Sequence, residues 1–157
     1  MIILGVDPGL ARLGYGVIKV LKNKKVKCLD FGVIETLKSK KREERLKEIN
    51  NQLSKIIKKY QPNLLATEKV YFFKNLKTVI PVAEASGIVL LNAAKKNIPV
   101  FEFTPLQIKF SLTNNGRAEK KEIIKKIKKV FKLRKNVVID DAFDALACAL
   151  TVVFKTS

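Results

Sequence analysis

Ile2-Ile3-Leu4-Gly5-Val6 is an apolar run that stops at Asp7-Pro8-Gly9, and a second run, Tyr15 to Leu21, stops at the lysine-rich turn over residues 22–25. Short apolar runs bounded by turn residues predict strands, and a third is expected from Val26 to Glu35. The period then changes. Leu46, Ile49, Leu53, Ile56, Ile57 and Tyr60 recur at helical spacing among charges, and Pro62 follows, which predicts an amphipathic helix over 41–60. A fourth strand is expected from Leu64 to Val70, a helix over 77–96, and a fifth strand from Pro99 to Thr104.

Further along, Pro105 opens a short helix that Asn114-Asn115-Gly116 closes with turn chemistry. Ile123, Ile124, Ile127, Val130 and Phe131 form one stripe of a helix expected from Arg117 to Lys135, whose other face is strongly basic. The segment from Asp141 to about Phe154 is apolar almost all round, so it should be a buried helix, with Asp140 as its N-cap. Three hairpin-like strands, then strands separated by helices, indicate an α/β fold with a five-stranded mixed sheet flanked by helices, in a single domain spanning residues 1–157. In the 77–96 helix, Ala83, Ala85, Ser86, Gly87, Ala93 and Ala94 would let a helix or a twin subunit approach closely, and Pro81 should lie in its first turn, because further inside it would kink the helix.

Composition narrows the function. The 32 basic and 14 acidic residues leave a net charge of +18, an excess that attracts polyanions, nucleic acid first among them. Only five of the cations are arginine, which favours point-charge contacts to phosphate over bidentate reading of guanine edges. Histidine is absent, so catalysis must rest on carboxylates, lysines, hydroxyls or metal-bound water. Cys28 and Cys148 lack the spacing of a zinc site or a disulfide scaffold and are expected to be packing residues in a reducing compartment. The N-terminal run is too short for a signal-peptide core, and no stretch approaches membrane-spanning length, so the expected location is the cytoplasm, with no membrane partner.

Four acids stand out against this cationic background. Alternation puts Ile3, Gly5 and Asp7 on one strand face, so a residue without a side chain leaves space beside Asp7; the alternative is that Asp7-Pro8-Gly9 is only a turn. Glu68 interrupts an otherwise apolar strand, unless it is a solvated acid at a sheet edge. If the first and fourth strands are neighbours, Glu68 can share a cation with Asp7. Asp141 and Asp144 project from one side of the last helix, where they could also simply favour the helix dipole. Clustered carboxylates repel one another unless cations neutralise them, and oxygen-only ligands select Mg²⁺, with Mn²⁺ as substitute. Two such ions per subunit would activate water and stabilise the leaving oxygen of a phosphodiester.

Tyr71-Phe72-Phe73-Lys74-Asn75 places three aromatics beside a cation, a composition suited to stacking on an unpaired base, although core packing explains most such runs. Lys109 and Lys120 could complement phosphate charge near the metals, and Arg117 and Lys121 belong to the same cationic segment; for any single lysine here a solvated surface role remains the alternative.

The chain resembles the bacterial crossover-junction endodeoxyribonuclease family RuvC, Holliday junction resolvases of the ribonuclease-H-like superfamily. The resemblance covers essentially the whole length, through residues 2–9 with Gly14-Tyr15-Gly16-Val17-Ile18, Thr67-Glu68-Lys69-Val70-Tyr71 with Lys74-Asn75, Ala118-Glu119-Lys120, and Asp141-Ala142-Phe143-Asp144-Ala145-Leu146-Ala147. It implies a ribonuclease-H-like fold, with Asp7, Glu68, Asp141 and Asp144 as the metal-binding acids and Lys109 and Lys120 as supporting lysines. Tyr71 stands where the family has an aromatic, usually phenylalanine, that stacks at the junction. Pro81 falls in the helix the family uses to dimerise, and the basic C-terminal tail of the family is missing. Also implied are a homodimer that nicks two strands of like polarity in four-way junction DNA, and cooperation with the branch-migration proteins RuvA and RuvB.

Other readings of the residues stay open at this point: a ribonuclease-H-like enzyme acting on RNA in hybrids or a YqgF-type relative, an actin-like ATPase, and a junction-binding module without catalysis.

Overall fold

The computed structural model describes residues 1–23, 25–70, 76–134, 136–137 and 139–155. Along them run β1 (Ile2–Asp7), β2 (Arg12–Val20), β3 (Val26–Glu35), α1 (Arg42–Tyr60), β4 (Leu64–Glu68), α2 (Leu76–Lys95), β5 (Val100–Phe103), α3 (Pro105–Thr113), α4 (Lys120–Phe131) and α5 (Asp140–Lys155). The strands form one sheet in the order β3-β2-β1-β4-β5. β1, β2 and β3 pair antiparallel, and β4 and β5 lie parallel to β1 and to each other. The expected mixed α/β sheet is therefore present, with β1 at its centre and β1 beside β4.

Alternation along the strands divides the apolar side chains between two cores. Leu4, Val6, Val17 and Leu65 pack against Ile49, Leu53 and Ile57 of α1 and Val89 and Ala93 of α2. On the other face Ile3, Ile18 and Ala66 meet α5, with α3 and α4 closing the outer side through Ile108, Leu112, Ile123 and Ile127. Sandwiched between sheet and outer helices, α5 is buried over most of its surface, which its nearly uniform apolar sequence requires.

Two helix ends follow local chemistry closely. Thr104 caps α3 reciprocally: the Gln107 amide donates to Thr104 Oγ1 at 3.1 Å, and the Thr104 amide donates to Gln107 Oε1 at 3.0 Å. Asn114 ends the same helix in the left-handed region at φ 58°, as the Asn-Asn-Gly turn predicts.

Several boundaries shift. β2 starts at Arg12 rather than Tyr15, because antiparallel pairing carries Asp7 to Gly14 and Arg12 to Glu35. β4 stops at Glu68 rather than Val70, and α4 occupies Lys120–Phe131 rather than the whole of 117–135. Asp140 is the first residue of α5, not its N-cap: the Phe143 amide bonds the carbonyl of Ile139, which places the cap one residue earlier. Pro81 is the sixth residue of α2, beyond the first turn, so residue 77 loses its usual amide partner. Of the small residues in α2, Ala85, Ser86 and Ala93 are buried inward, whereas Gly87 and Ala94 face outward.

Candidate metal centre and nuclease site

Asp7 is the last residue of β1, and the register Val6 to Thr67 sets it beside Glu68 at the same end of β4. Both acids lie on the face covered by α5. α5 begins at that end of the sheet, so its first turns deliver Asp141 and Asp144 to the same place.

Two glycines permit the approach. A methyl group at Gly5 would collide with the Ala145 carbonyl oxygen, and one at Gly14, opposite Asp7, would collide with the Asp141 carbonyl. The space that Gly5 was expected to leave beside Asp7 is thus filled by helix backbone. What the missing side chain provides is contact between strand and helix, and that contact carries Asp141 and Asp144 to Asp7.

The electrostatics record the crowding. Burial is the main reason the Asp7 carboxyl is pushed up to about 8, and the negative charges of Asp144, Glu68 and Asp141 add to it, while Lys120 opposes. Burial and Asp144 raise Glu68, with Lys109 pulling it down. Asp144 is likewise raised by burial, against a hydrogen bond from Lys120 Nζ to Asp144 Oδ2 at 3.0 Å. The same ammonium lies 3.6 Å from Asp140 Oδ2. Of the two lysines picked out in the sequence, Lys120 therefore pairs with Asp144, and Lys109 acts on Glu68 electrostatically. Arg117 is exposed in the turn before α4, and Lys121 pairs with Glu119 at 2.7 Å, so neither meets the acids. Tyr71, Phe72, Phe73, Lys74 and Asn75 lie outside the described residues.

Sequence reasoning missed Arg12. Its Nε donates to Asp141 Oδ2 at 2.7 Å and its Nη1 lies 2.9 Å from Glu35 Oε1. Its signal was that it is the first basic residue after the Asp7-Pro8-Gly9 turn, and an arginine in a lysine-dominated chain. A cleft of about 820 Å³ on the opposite side, lined by Tyr15, Ile34 and Lys55 among others, is remote from this chemistry. The acids themselves sit at one end of the central strands.

The donor set suits a hard divalent cation: carboxylate oxygens from β1, β4 and α5, with no imidazole in the chain and no other described residue donating a hydrogen bond or ion pair to Asp7. Burial and neighbouring negative charge push the Asp7 carboxyl up, a cost that a bound cation would offset. As the side chains stand, no three His, Cys, Asp or Glu among the described residues close around one point. Asp141 turns to Arg12 and Asp144 to Lys120, so convergence needs those two carboxylates to exchange a cationic side chain for a cation.

A five-stranded mixed sheet in this order, with acids at the ends of its central strands and on the helix crossing them, defines a ribonuclease-H-like nuclease. Residues 3–152 match the family model described as crossover junction endodeoxyribonuclease RuvC. The RuvC of Petrotoga mobilis is 48% identical over 149 residues, covering 95% of this chain and 91% of that protein. The Thermus thermophilus RuvC structure superposes with a TM-score of 0.90 at 29% identity, covering 99% of this chain and 95% of that one. A structure of T. thermophilus RuvC in complex with a Holliday junction substrate gives 0.92 at 29% identity, over 99% of this chain and 94% of that one. The chain belongs to the RuvC family of crossover junction endodeoxyribonucleases.

Proposed function

We propose that this protein resolves Holliday junctions in DNA recombination and repair, as an endonuclease whose metal-dependent site is built by Asp7, Glu68, Asp141 and Asp144. The observation that carries the reading is the meeting of Asp7 and Glu68 on adjacent parallel strands under the first turns of α5, in a chain of net charge +18. A non-catalytic binding module has no use for buried, mutually repelling acids, which destabilise the fold unless a cation joins them.

The four acids would hold two divalent ions, Mg²⁺ with Mn²⁺ as a substitute. Such a pair would supply water activation and stabilisation of the leaving oxygen in phosphodiester hydrolysis. Asp7 and Glu68, fixed by strand register, form the rigid side of the site. Asp141 and Asp144 form the adjustable side, each held by a cation until substrate and metal arrive. Lys120 and Lys109 offset phosphate charge beside the acids, while Arg117 and Lys121 meet phosphates further out. Tyr71, Phe72, Phe73, Lys74 and Asn75 follow Glu68 closely in sequence and serve as the stacking and phosphate contacts at the junction.

Residues 1–157 act as one ribonuclease-H-like domain, and two copies form a homodimer that nicks strands of like polarity symmetrically, since a two-fold substrate calls for a two-fold enzyme. α2 is suited to the interface: Ile80 is 59% exposed and Leu91 47%, with open space around Gly87 between them. RuvA and RuvB are the partners this assignment brings with it. No helix among the described residues is long and apolar enough to cross a membrane, and a DNA substrate together with the free Cys28 and Cys148 supports a cytoplasmic location.

Incubation of the protein with a four-way junction, a linear duplex and an RNA/DNA hybrid, with and without Mg²⁺, tests the proposal. Paired nicks in the junction that require the metal are expected. Preferential cutting of the hybrid, or no cutting with either Mg²⁺ or Mn²⁺, overturns it.

A further inference from the structure

Leu106 and Phe110 stand one turn apart on α3 and are 63% and 56% exposed. The buried stripe of that helix, Ile108 and Leu112, lies two residues on from each, which at about 100° per residue turns Leu106 and Phe110 to the opposite side. Neither has a place in the two cores. α3 begins directly after β5, which runs parallel to β4, so the helix starts at the end of the sheet that carries Glu68. Lys109, between the two apolar residues in sequence, acts electrostatically on Glu68, and Leu106 reaches back to Gly116, beside the exposed Arg117.

We propose that Leu106 and Phe110 form an apolar ridge that contacts the bases exposed at the open centre of a four-way junction. The proposal rests on the junction-resolving function above and adds two contact residues to it. Its force comes from position. A phenylalanine and a leucine facing water among cations are poorly matched to an ordinary protein surface, where exposed apolar patches mark binding sites. Their cationic neighbours in the chain, Lys109 and Arg117, at the end of the sheet that carries Glu68, suit a polyanion that also offers flat apolar surfaces. A four-way junction offers both, phosphates for the cations and unstacked base faces for the ridge, whereas the base faces of a continuous duplex are covered by stacking. The ridge lies on α3 and approaches the site from the β5 side of the sheet.

The chain contains no tryptophan, so Phe110→Trp installs a single fluorescent reporter. Titrated in metal-free buffer, its emission should be quenched by a four-way junction and changed little by a linear duplex of equal length. A Leu106→Ser/Phe110→Ser double variant should keep its thermal midpoint and duplex affinity while binding the junction about tenfold more weakly, the loss expected for base-stacking contacts. Emission unchanged by the junction, or quenched equally by both DNAs, overturns the proposal. So does a shift that depends on protein concentration alone, which would assign the ridge to a second copy of the chain. Should the double variant fail to fold, the conservative Phe110→Trp protein still decides. Junction cutting by the wild type with Mg²⁺, run in parallel, separates the two levels: cutting with a silent reporter defeats only the ridge, and no cutting defeats the functional assignment beneath it.

Discussion

Arg12 Nε and Asp141 Oδ2 are 2.7 Å apart, joining the first residue of β2 to the first turn of α5 across the mouth of the acid cluster. The guanidinium occupies a carboxylate that the proposed metal site needs. Arg12→Ala frees Asp141 and makes the cluster more negative. The Mg²⁺ concentration that gives half-maximal junction cutting is therefore expected to fall, by roughly two- to threefold for a solvated pair. Metal titrations of cutting rate measure it, and an unchanged or higher midpoint refutes the competition.

Asp7 gives a pH dependence with a definite sign. Its folded pKa, pushed up to about 8, exceeds the ordinary 3.8, so between those values the folded form holds a proton that the unfolded chain has released. Metal-free protein should lose stability as pH rises from about 4 to about 8, by an amount on the order of a few kcal/mol, and level off above. Asp7→Asn should flatten that slope, raise the metal-free thermal midpoint at pH 7 and abolish the stabilisation given by Mg²⁺. Junction cutting should drop to under about one-hundredth of wild type, since loss of even an outer-shell partner of a metal site costs 10- to 100-fold. Melting curves across pH, with and without Mg²⁺, provide the check.

Lys120 makes a solvent-accessible ion pair with Asp144 at 3.0 Å. A pair of that kind contributes about 1 kcal/mol or less to stability, so Lys120→Ala should melt almost as wild type does. Its cutting rate should nevertheless fall at least about tenfold, because the ammonium, once Asp144 turns to the proposed metal, offsets phosphate charge beside the acids. Equal losses in both measurements would mean a structural role only.

Gly5→Ala tests the seat of α5. The added methyl must displace the Ala145 carbonyl, and overpacking of this kind costs about 1–3 kcal/mol. Because the displaced helix carries Asp141 and Asp144, cutting per folded molecule should fall as well. Full specific activity in a destabilised variant would show that the acids tolerate a shifted helix.

Junction affinity should weaken by at least about a hundredfold between about 50 and 200 mM salt, as expected where several lysines neutralise phosphates. Filter-binding or anisotropy titrations at a series of salt concentrations read the slope, and a flat response contradicts a phosphate-dominated interface.

What the sequence determined by itself was local. Apolar runs bounded by turn residues, helical spacing and turn chemistry located all ten of the described elements, because burial and turns leave local patterns whatever the topology. The acids Asp7, Glu68, Asp141 and Asp144 were conspicuous because each broke an apolar or cationic context, and no histidine competed with them for catalysis. Element ends were harder. β2 reaches back to Arg12 because its partners β1 and β3 hold it there, and Pro81 sits inside α2 although its own backbone preference favours the first turn. Only the tertiary structure decided that β4 lies against β1, that Gly5 and Gly14 let α5 rest on the strands, and that Arg12 and Lys120 hold two of the four acids. These depend on residues from 24 to 129 or more positions apart meeting through close packing, a relationship that no local pattern encodes.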